Sequence, residues 1–110
     1  MALPHAAPGQ VIDLQPLGAA LAEARTTALF KSDDLELMRL VLPAGKSLPM
    51  HAVAGEITVQ CIEGEIDVST EAASHVLRAG QLLYLRRGVP HGVRALRDAS
   101  ALVTVVLRRG

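Results

Sequence analysis

The sequence predicts an all-β domain, a sandwich or barrel built from short strands. Apolar and polar residues alternate over short stretches, and turn residues separate these stretches roughly every eight to twelve positions. No helical segments connect consecutive strands, which excludes a parallel α/β architecture. The length of 110 residues indicates a single domain over 1–110, with a loose N-terminal segment at 1–10 that is rich in Pro, Ala and Gly.

Alternation and turn residues divide the chain into elements. A short N-terminal helix or turn is predicted over 17–25, because Leu17, Leu21 and Ala24 share one helical face. The predicted strands are 11–14, 26–30, 35–42, 56–62, 65–68, 75–78, 82–85, 92–96 and 101–107. Strands 11–14 and 35–42 are predicted as apolar sheet edges, which a second copy of the chain would cover in a homodimer.

Composition excludes several classes of protein. Eleven Lys and Arg balance eleven Asp and Glu, and the chain has one Tyr, one Phe and no Trp. Nucleic-acid-binding domains usually carry a basic excess or stacking aromatics, so we expect no nucleic-acid partner. No apolar stretch approaches the roughly 18 residues that span a bilayer, and no signal peptide is visible, so we expect no membrane partner and a cytoplasmic location. The single cysteine, Cys61, fits that location because it cannot form an intrachain disulfide.

Two units that begin with glycine each end in a histidine. The first is Gly45-Lys-Ser-Leu-Pro-Met-His51, and the second runs from Gly80 through Gly88 to His91. In the second unit a turn, a buried strand and a tight turn precede the histidine, which lies where the next strand begins. Two such units indicate a β-barrel with a site in its mouth.

These units resemble the two motifs of the cupin superfamily. Gly45 and His51 match the opening of the first motif, and Glu63-Gly64-Glu65 matches its close. The second motif is matched at three positions, Gly80, Gly88 and His91. The resemblance covers 35–107 and implies an RmlC-like fold, which is a cupin-type double-stranded β-helix (jelly-roll barrel). It also implies that subunits pair through their sheets as a homodimer.

The first motif departs from the family pattern at its ligand positions. Val53 stands where the family has its second histidine, and Ile57 stands where it has its glutamate. Glu56 is one residue away, but a shift of one residue puts a strand side chain on the opposite face unless a bulge intervenes. The resemblance implies one divalent transition metal (Zn, Fe, Ni, Mn or Cu) at His51 and His91, with Glu56 or water completing the shell. The alternative is that no cofactor is bound and hydrogen bonds or water hold the two imidazoles in an apolar pocket.

The predicted pocket lies inside the barrel and is mostly aliphatic. Its predicted lining residues are His51, Val53, Ile57, Val59, Cys61 and His91. Such a pocket favours a small, partly apolar ligand with one or two polar atoms for the imidazoles. Three functions stay open: binding of a small molecule, with or without a two-histidine metal site; a metal-dependent oxygenase, isomerase or decarboxylase; and a non-catalytic sensing or dimer-interaction module. The sequence identifies no catalytic residues.

Overall fold

The computed structural model describes residues 5–107, which contain nine strands and one short 3₁₀ helix. The helix spans Gly18–Glu23. The strands are β1 Thr27–Lys31, β2 Leu35–Leu42, β3 Ser47–His51, β4 Ile57–Glu63, β5 Glu65–Thr70, β6 Ser74–Arg78, β7 Leu82–Leu85, β8 His91–Ala95 and β9 Ala99–Val106. No helix within these residues is long and apolar enough to cross a membrane.

The strands form two antiparallel sheets that face each other. One sheet has the order β1-β2-β9-β4-β7, and the other has the order β3-β8-β5-β6. The chain crosses from one sheet to the other after β2, β3, β4, β6, β7 and β8. This is the arrangement of a jelly roll, so the predicted fold class is confirmed.

An aliphatic core fills the space between the sheets, because alternate residues of each strand face inward. In β4, Ile57, Val59 and Cys61 are buried, while the intervening Thr58 and Gln60 are only partly buried. The sequence predicted this alternation. Further core residues come from both sheets: Leu40, Leu42, Ile66, Val68, Leu77, Leu85, Val93, Ala95, Ala99, Ala101, Val103 and Val105.

Neither of the two predicted sheet edges is an edge. Residues 11–14 form no strand, since the side chain of Asp13 accepts a hydrogen bond from the N–H of Gln15 at 2.9 Å and competes with strand pairing. β2 lies in the interior of its sheet, paired with β1 on one side and β9 on the other. These two segments therefore offer no free sheet edge for a second copy to cover, and the homodimer stays a prediction from the family resemblance.

β3 is a strand that the sequence pattern did not predict. Pro49 lies inside it, and proline lacks the N–H that a residue in a central strand donates to the neighbouring strand. β3 accommodates this residue because it forms an edge of the four-stranded sheet, next to β8. The predicted helix at 17–25 is present as the shorter 3₁₀ helix, which begins at Gly18 in a left-handed conformation with φ of 57°.

The segment before β1 packs on the outer side of the five-stranded sheet. Leu21 is buried there, and Arg39, which projects outward from β2, donates a hydrogen bond from Nη2 to the carbonyl of Gln15 at 3.0 Å. Nearer the N-terminus, the N–H of Ala6 donates to the carbonyl of Leu29 at 2.9 Å. Residues 1–4 of the predicted loose segment lie outside the described residues.

Glu63 connects this segment to the sheet. Its carboxylate accepts hydrogen bonds from the backbone N–H groups of Leu17 and Gly18, each at 2.9 Å, and from the hydroxyl of Ser100. Burial raises the pKa of Glu63, but these hydrogen bonds and the nearby charge of Arg39 outweigh it, so the pKa lies below its ordinary value of 4.5. The connection therefore depends on an ionised carboxylate.

We expect Glu63→Gln to lower the free energy of unfolding by about 1–2 kcal/mol at neutral pH, the size of a lost helix cap. Because the folded-state pKa is lowered, Glu63 contributes its stability above the unfolded-state pKa, and this contribution is lost as pH falls through the folded-state pKa. The difference between wild type and variant should therefore shrink in acid. Denaturant unfolding at neutral pH and below about pH 4 measures it.

Glu71→Gln is the control for this prediction, since Glu71 is exposed in the turn between β5 and β6. We expect this variant to match wild type within about 0.5 kcal/mol. A stability difference between wild type and Glu63→Gln that stayed the same at both pH values would contradict a charge-dependent connection.

Two glycines in left-handed turns differ in the space around them. Gly64, between β4 and β5, has φ of 77°, and a Cβ added there would lie 2.0 Å from the backbone oxygen of Asp98. Gly80 has φ of 88°, but a Cβ there would meet nothing within 4 Å.

We expect Gly64→Ala to destabilise the fold by about 3–5 kcal/mol and Gly80→Ala by about 1–2 kcal/mol, because only the first adds a clash to the backbone strain. Denaturant unfolding compares the two, and equal losses would disprove the contribution of the clash.

Candidate ligand-binding site

Two histidines meet where β3 pairs with β8. His51 is the last residue of β3 and His91 is the first of β8, and the two are directly opposite in the antiparallel register. Their ring centroids are 4.7 Å apart, with the ring planes inclined by 49°. His91 is buried and His51 is exposed, so the pair reaches from the interior to the surface.

A register shift in β3 makes this meeting possible. Leu48 and His51 are three residues apart, so in a regular strand their side chains would project from opposite faces. The pairing with β8 is interrupted between these two residues, and both side chains line the same cavity. The irregularity at Pro49 and Met50 therefore turns His51 toward His91.

Both imidazoles are oriented in the same way by the backbone. Nδ1 of His51 donates to the carbonyl of Pro49 at 3.2 Å, and Nδ1 of His91 donates to the carbonyl of Val89 at 3.0 Å. A carbonyl only accepts hydrogen bonds, so these contacts assign the proton to Nδ1. In the neutral ring Nε2 then carries the lone pair, which is the atom a ligand or an ion would use.

A cavity of about 380 Å³ lies between the sheets beside these rings. This volume is within the range of pockets that bind small molecules, and the walls are mostly aliphatic, as in such pockets. The lining residues are Glu36, Met38, Leu40, Leu48, His51, Val53, Ala54, Gly55, Ile57, Val59, His91, Val93, Val103, Val105, Val106 and Leu107.

The structure brings together five of the six residues that the sequence assigned to a pocket. His51, Val53, Ile57, Val59 and His91 all line the cavity. Their role in ligand binding stays a prediction.

Cys61 is the exception among the predicted pocket residues. It faces inward like Val59, but it lies further along β4, where the two sheets close on each other. Its thiol donates to the carbonyls of Glu63 at 3.4 Å and Gly64 at 3.7 Å. Burial is the main cause that raises the pKa of the Cys61 thiol, so the group stays protonated within the core.

Glu56 lies on the opposite side of the sheet from the histidines. Its carboxylate accepts a hydrogen bond from the hydroxyl of Tyr84, and the two residues border a surface depression with Arg86 and Arg87. The hydrogen bond to Glu56 is the main cause that raises the pKa of Tyr84. The neighbouring backbone holds this orientation, because the carbonyl of Glu56 accepts from the N–H of Val106 at 2.9 Å. Glu56 therefore does not join His51 and His91 as a third metal ligand.

Glu36 is a cavity residue that the sequence pattern missed. β2 is apolar at most positions, and Glu36 shares the inward face with Met38 and Leu40, which also line the cavity. The alternation of side chains along β2 could have identified it, because Glu36 is an acidic residue on the face that otherwise carries core side chains. The structure was needed to show which face of β2 is the inner one.

The donor set at the histidines falls short of a metal centre. Zinc enzymes and non-haem iron sites supply three protein ligands to the ion. Within residues 5–107, no group of three or more His, Cys, Asp and Glu side chains is placed to hold an ion. Residues 1–4 and 108–110 contain none of these residue types. With Val53 and Ile57 at the remaining motif positions, the side chains present do not fit a resident transition metal.

A family profile described as “Cupin domain” matches residues 38–107, which are most of the chain. The chain therefore belongs to the cupin family. No match was found among curated proteins.

Several solved structures share this fold. A conserved protein of unknown function from Streptococcus pyogenes is 18% identical with a TM-score of 0.76, over 100% of this chain and 97% of that chain. An RmlC-like cupin from Desulfovibrio desulfuricans is 24% identical with a TM-score of 0.70, over 97% of this chain and 98% of that one. The DMSP lyase DddQ from Ruegeria pomeroyi is 25% identical with a TM-score of 0.68, over 84% of this chain but only 52% of the lyase. Because one fold supports many chemistries, these similarities establish the fold and not an activity.

Proposed function

We propose that this cupin binds a small, mostly apolar molecule between its sheets and orients it with His51 and His91, without a resident metal ion. One observation carries the proposal: the two rings line the same cavity, and each is held by its own backbone through Nδ1. Since these bonds leave Nε2 of each ring for another partner, the pair forms a preorganised polar end in an otherwise aliphatic pocket.

The chemistry of this polar end indicates the kind of group it binds. In the neutral ring each Nε2 accepts a hydrogen bond, so the pair favours a ligand group that donates, such as a hydroxyl. A net hydrogen bond contributes about 0.5–1.5 kcal/mol, so the aliphatic walls supply most of the affinity and the histidines supply the orientation.

We expect His51→Ala and His91→Ala each to weaken binding about fivefold, the effect of one net hydrogen bond. A thermal-shift screen of small alcohols, diols and hydroxy acids identifies a compound that raises the Tm of wild type, and titration then gives its Kd for each variant. His75→Ala is the matched control: Nδ1 of His75 also donates to a backbone carbonyl, that of Val68 at 3.1 Å, but His75 does not line the cavity. A compound that binds all three variants equally well would contradict the proposal.

We expect protein purified without an affinity tag to contain far less than one equivalent of transition metal. The reason is the donor set, two imidazoles with Val53 and Ile57 at the other motif positions. Elemental analysis measures the content, and EDTA should leave the Tm unchanged. A full equivalent of Zn, Fe, Ni, Mn or Cu that is lost in both histidine variants would contradict metal-free binding. It would favour the metal-dependent oxygenase, isomerase or decarboxylase hypothesis instead.

A further inference from the structure

Among the described residues that line the cavity, Glu36 is the one carboxylate. It belongs to β2 of the five-stranded sheet, while His51 and His91 belong to β3 and β8 of the other sheet. The acidic group and the imidazole pair therefore face the same cavity from opposite sheets. Between them the walls are aliphatic, including Met38 and Val105.

The register of the five-stranded sheet places Glu36 along the cavity. Glu36 pairs with Val105 of β9, and Val105 pairs with Ile57 of β4, so these residues lie in one row across the sheet. On its other side Glu36 pairs with Lys31 of β1, and no ion pair joins the two side chains. Ile57 stands where the family motif has its glutamate, so this row carries a carboxylate two strands away from the motif position. Two strand spacings are roughly 9–10 Å, so Glu36 lies about that far from the position of the motif glutamate.

We propose that Glu36 determines which ligands the cavity accepts, by binding an ammonium group at the end of a ligand whose hydroxyl end is held by His51 and His91. This inference rests on the proposed function and specifies it: the ligands are small linear amino alcohols or amines of similar shape. A carboxylate binds an ammonium through charge-assisted hydrogen bonds, which are stronger than neutral ones, and it repels a ligand carboxylate.

Three linear probes of equal length test this role. Each is a five-carbon chain with a hydroxyl at one end and an ammonium, a hydroxyl or a carboxylate at the other. NMR titration gives the Kd of each probe for wild type, Glu36→Gln, His51→Ala and the surface control Glu71→Gln. The change to Gln preserves the size of the side chain, removes its charge and replaces one acceptor oxygen with an NH2 donor.

We expect wild type and Glu71→Gln to bind the ammonium probe about tenfold more tightly than the diol, and to bind the carboxylate probe most weakly. In Glu36→Gln the three affinities should come within about twofold of one another. His51→Ala should weaken all three probes but keep the preference for the ammonium, because Glu36 is still present.

Failure of the Glu36 role and failure of the proposed histidine-based binding give different results. If wild type binds the three probes equally and His51→Ala weakens all of them, the selecting role of Glu36 is wrong while the histidine site stands. If wild type shows the preference and Glu36→Gln keeps it, the role of Glu36 is also wrong. If none of the probes binds wild type, both the ligand class and the histidine-based binding of such hydroxyl compounds are overturned.

Discussion

Packing between the inner faces of the two sheets governs the rest of this structure. At one end small side chains close the space, and Cys61, Ala95, Ala99 and Ala101 are each at most 1% exposed. At the other end the sheets stay apart and enclose the cavity of about 380 Å³. The chain has one Phe and one Tyr, and neither lines this end. Because no aromatic side chain fills it, the fold leaves a concave aliphatic surface to which a small apolar molecule is suited.

The polar side chains that line the cavity lie where they do because only one end of the space between the sheets is open. His51 and His91 lie at the open end because β3 and β8 meet there, and the irregular pairing in β3 turns His51 inward. Glu36 lies on the facing sheet at the same end, in the row that contains Ile57. A cupin scaffold with too few donors for a metal thus retains two polar groups on opposite walls of one pocket.

Much of the fold was predictable from local patterns, because strand side chains have a period of two. The alternation in β4 correctly placed Ile57 and Val59 inward and Glu56 outward. The same alternation correctly predicted that Cys61 faces inward. It contains no information about position along the barrel, so Cys61 was predicted to line the pocket, whereas it lies in the closed core. Glu36 was missed because β2 is apolar on both faces, so its inner face could not be recognised.

The sequence by itself determined eight of the nine strands, the jelly-roll class and the two histidines that belong to the family motifs. These features are local: alternation, turn glycines and short spacings are contained within a few consecutive residues. Only the tertiary structure decided that β2 is an interior strand, that His51 touches His91 and that Glu36 shares a row with Ile57. The physical reason is that hydrogen bonds between strands far apart in the chain set these relations, and a local pattern does not specify which strands pair or in which register.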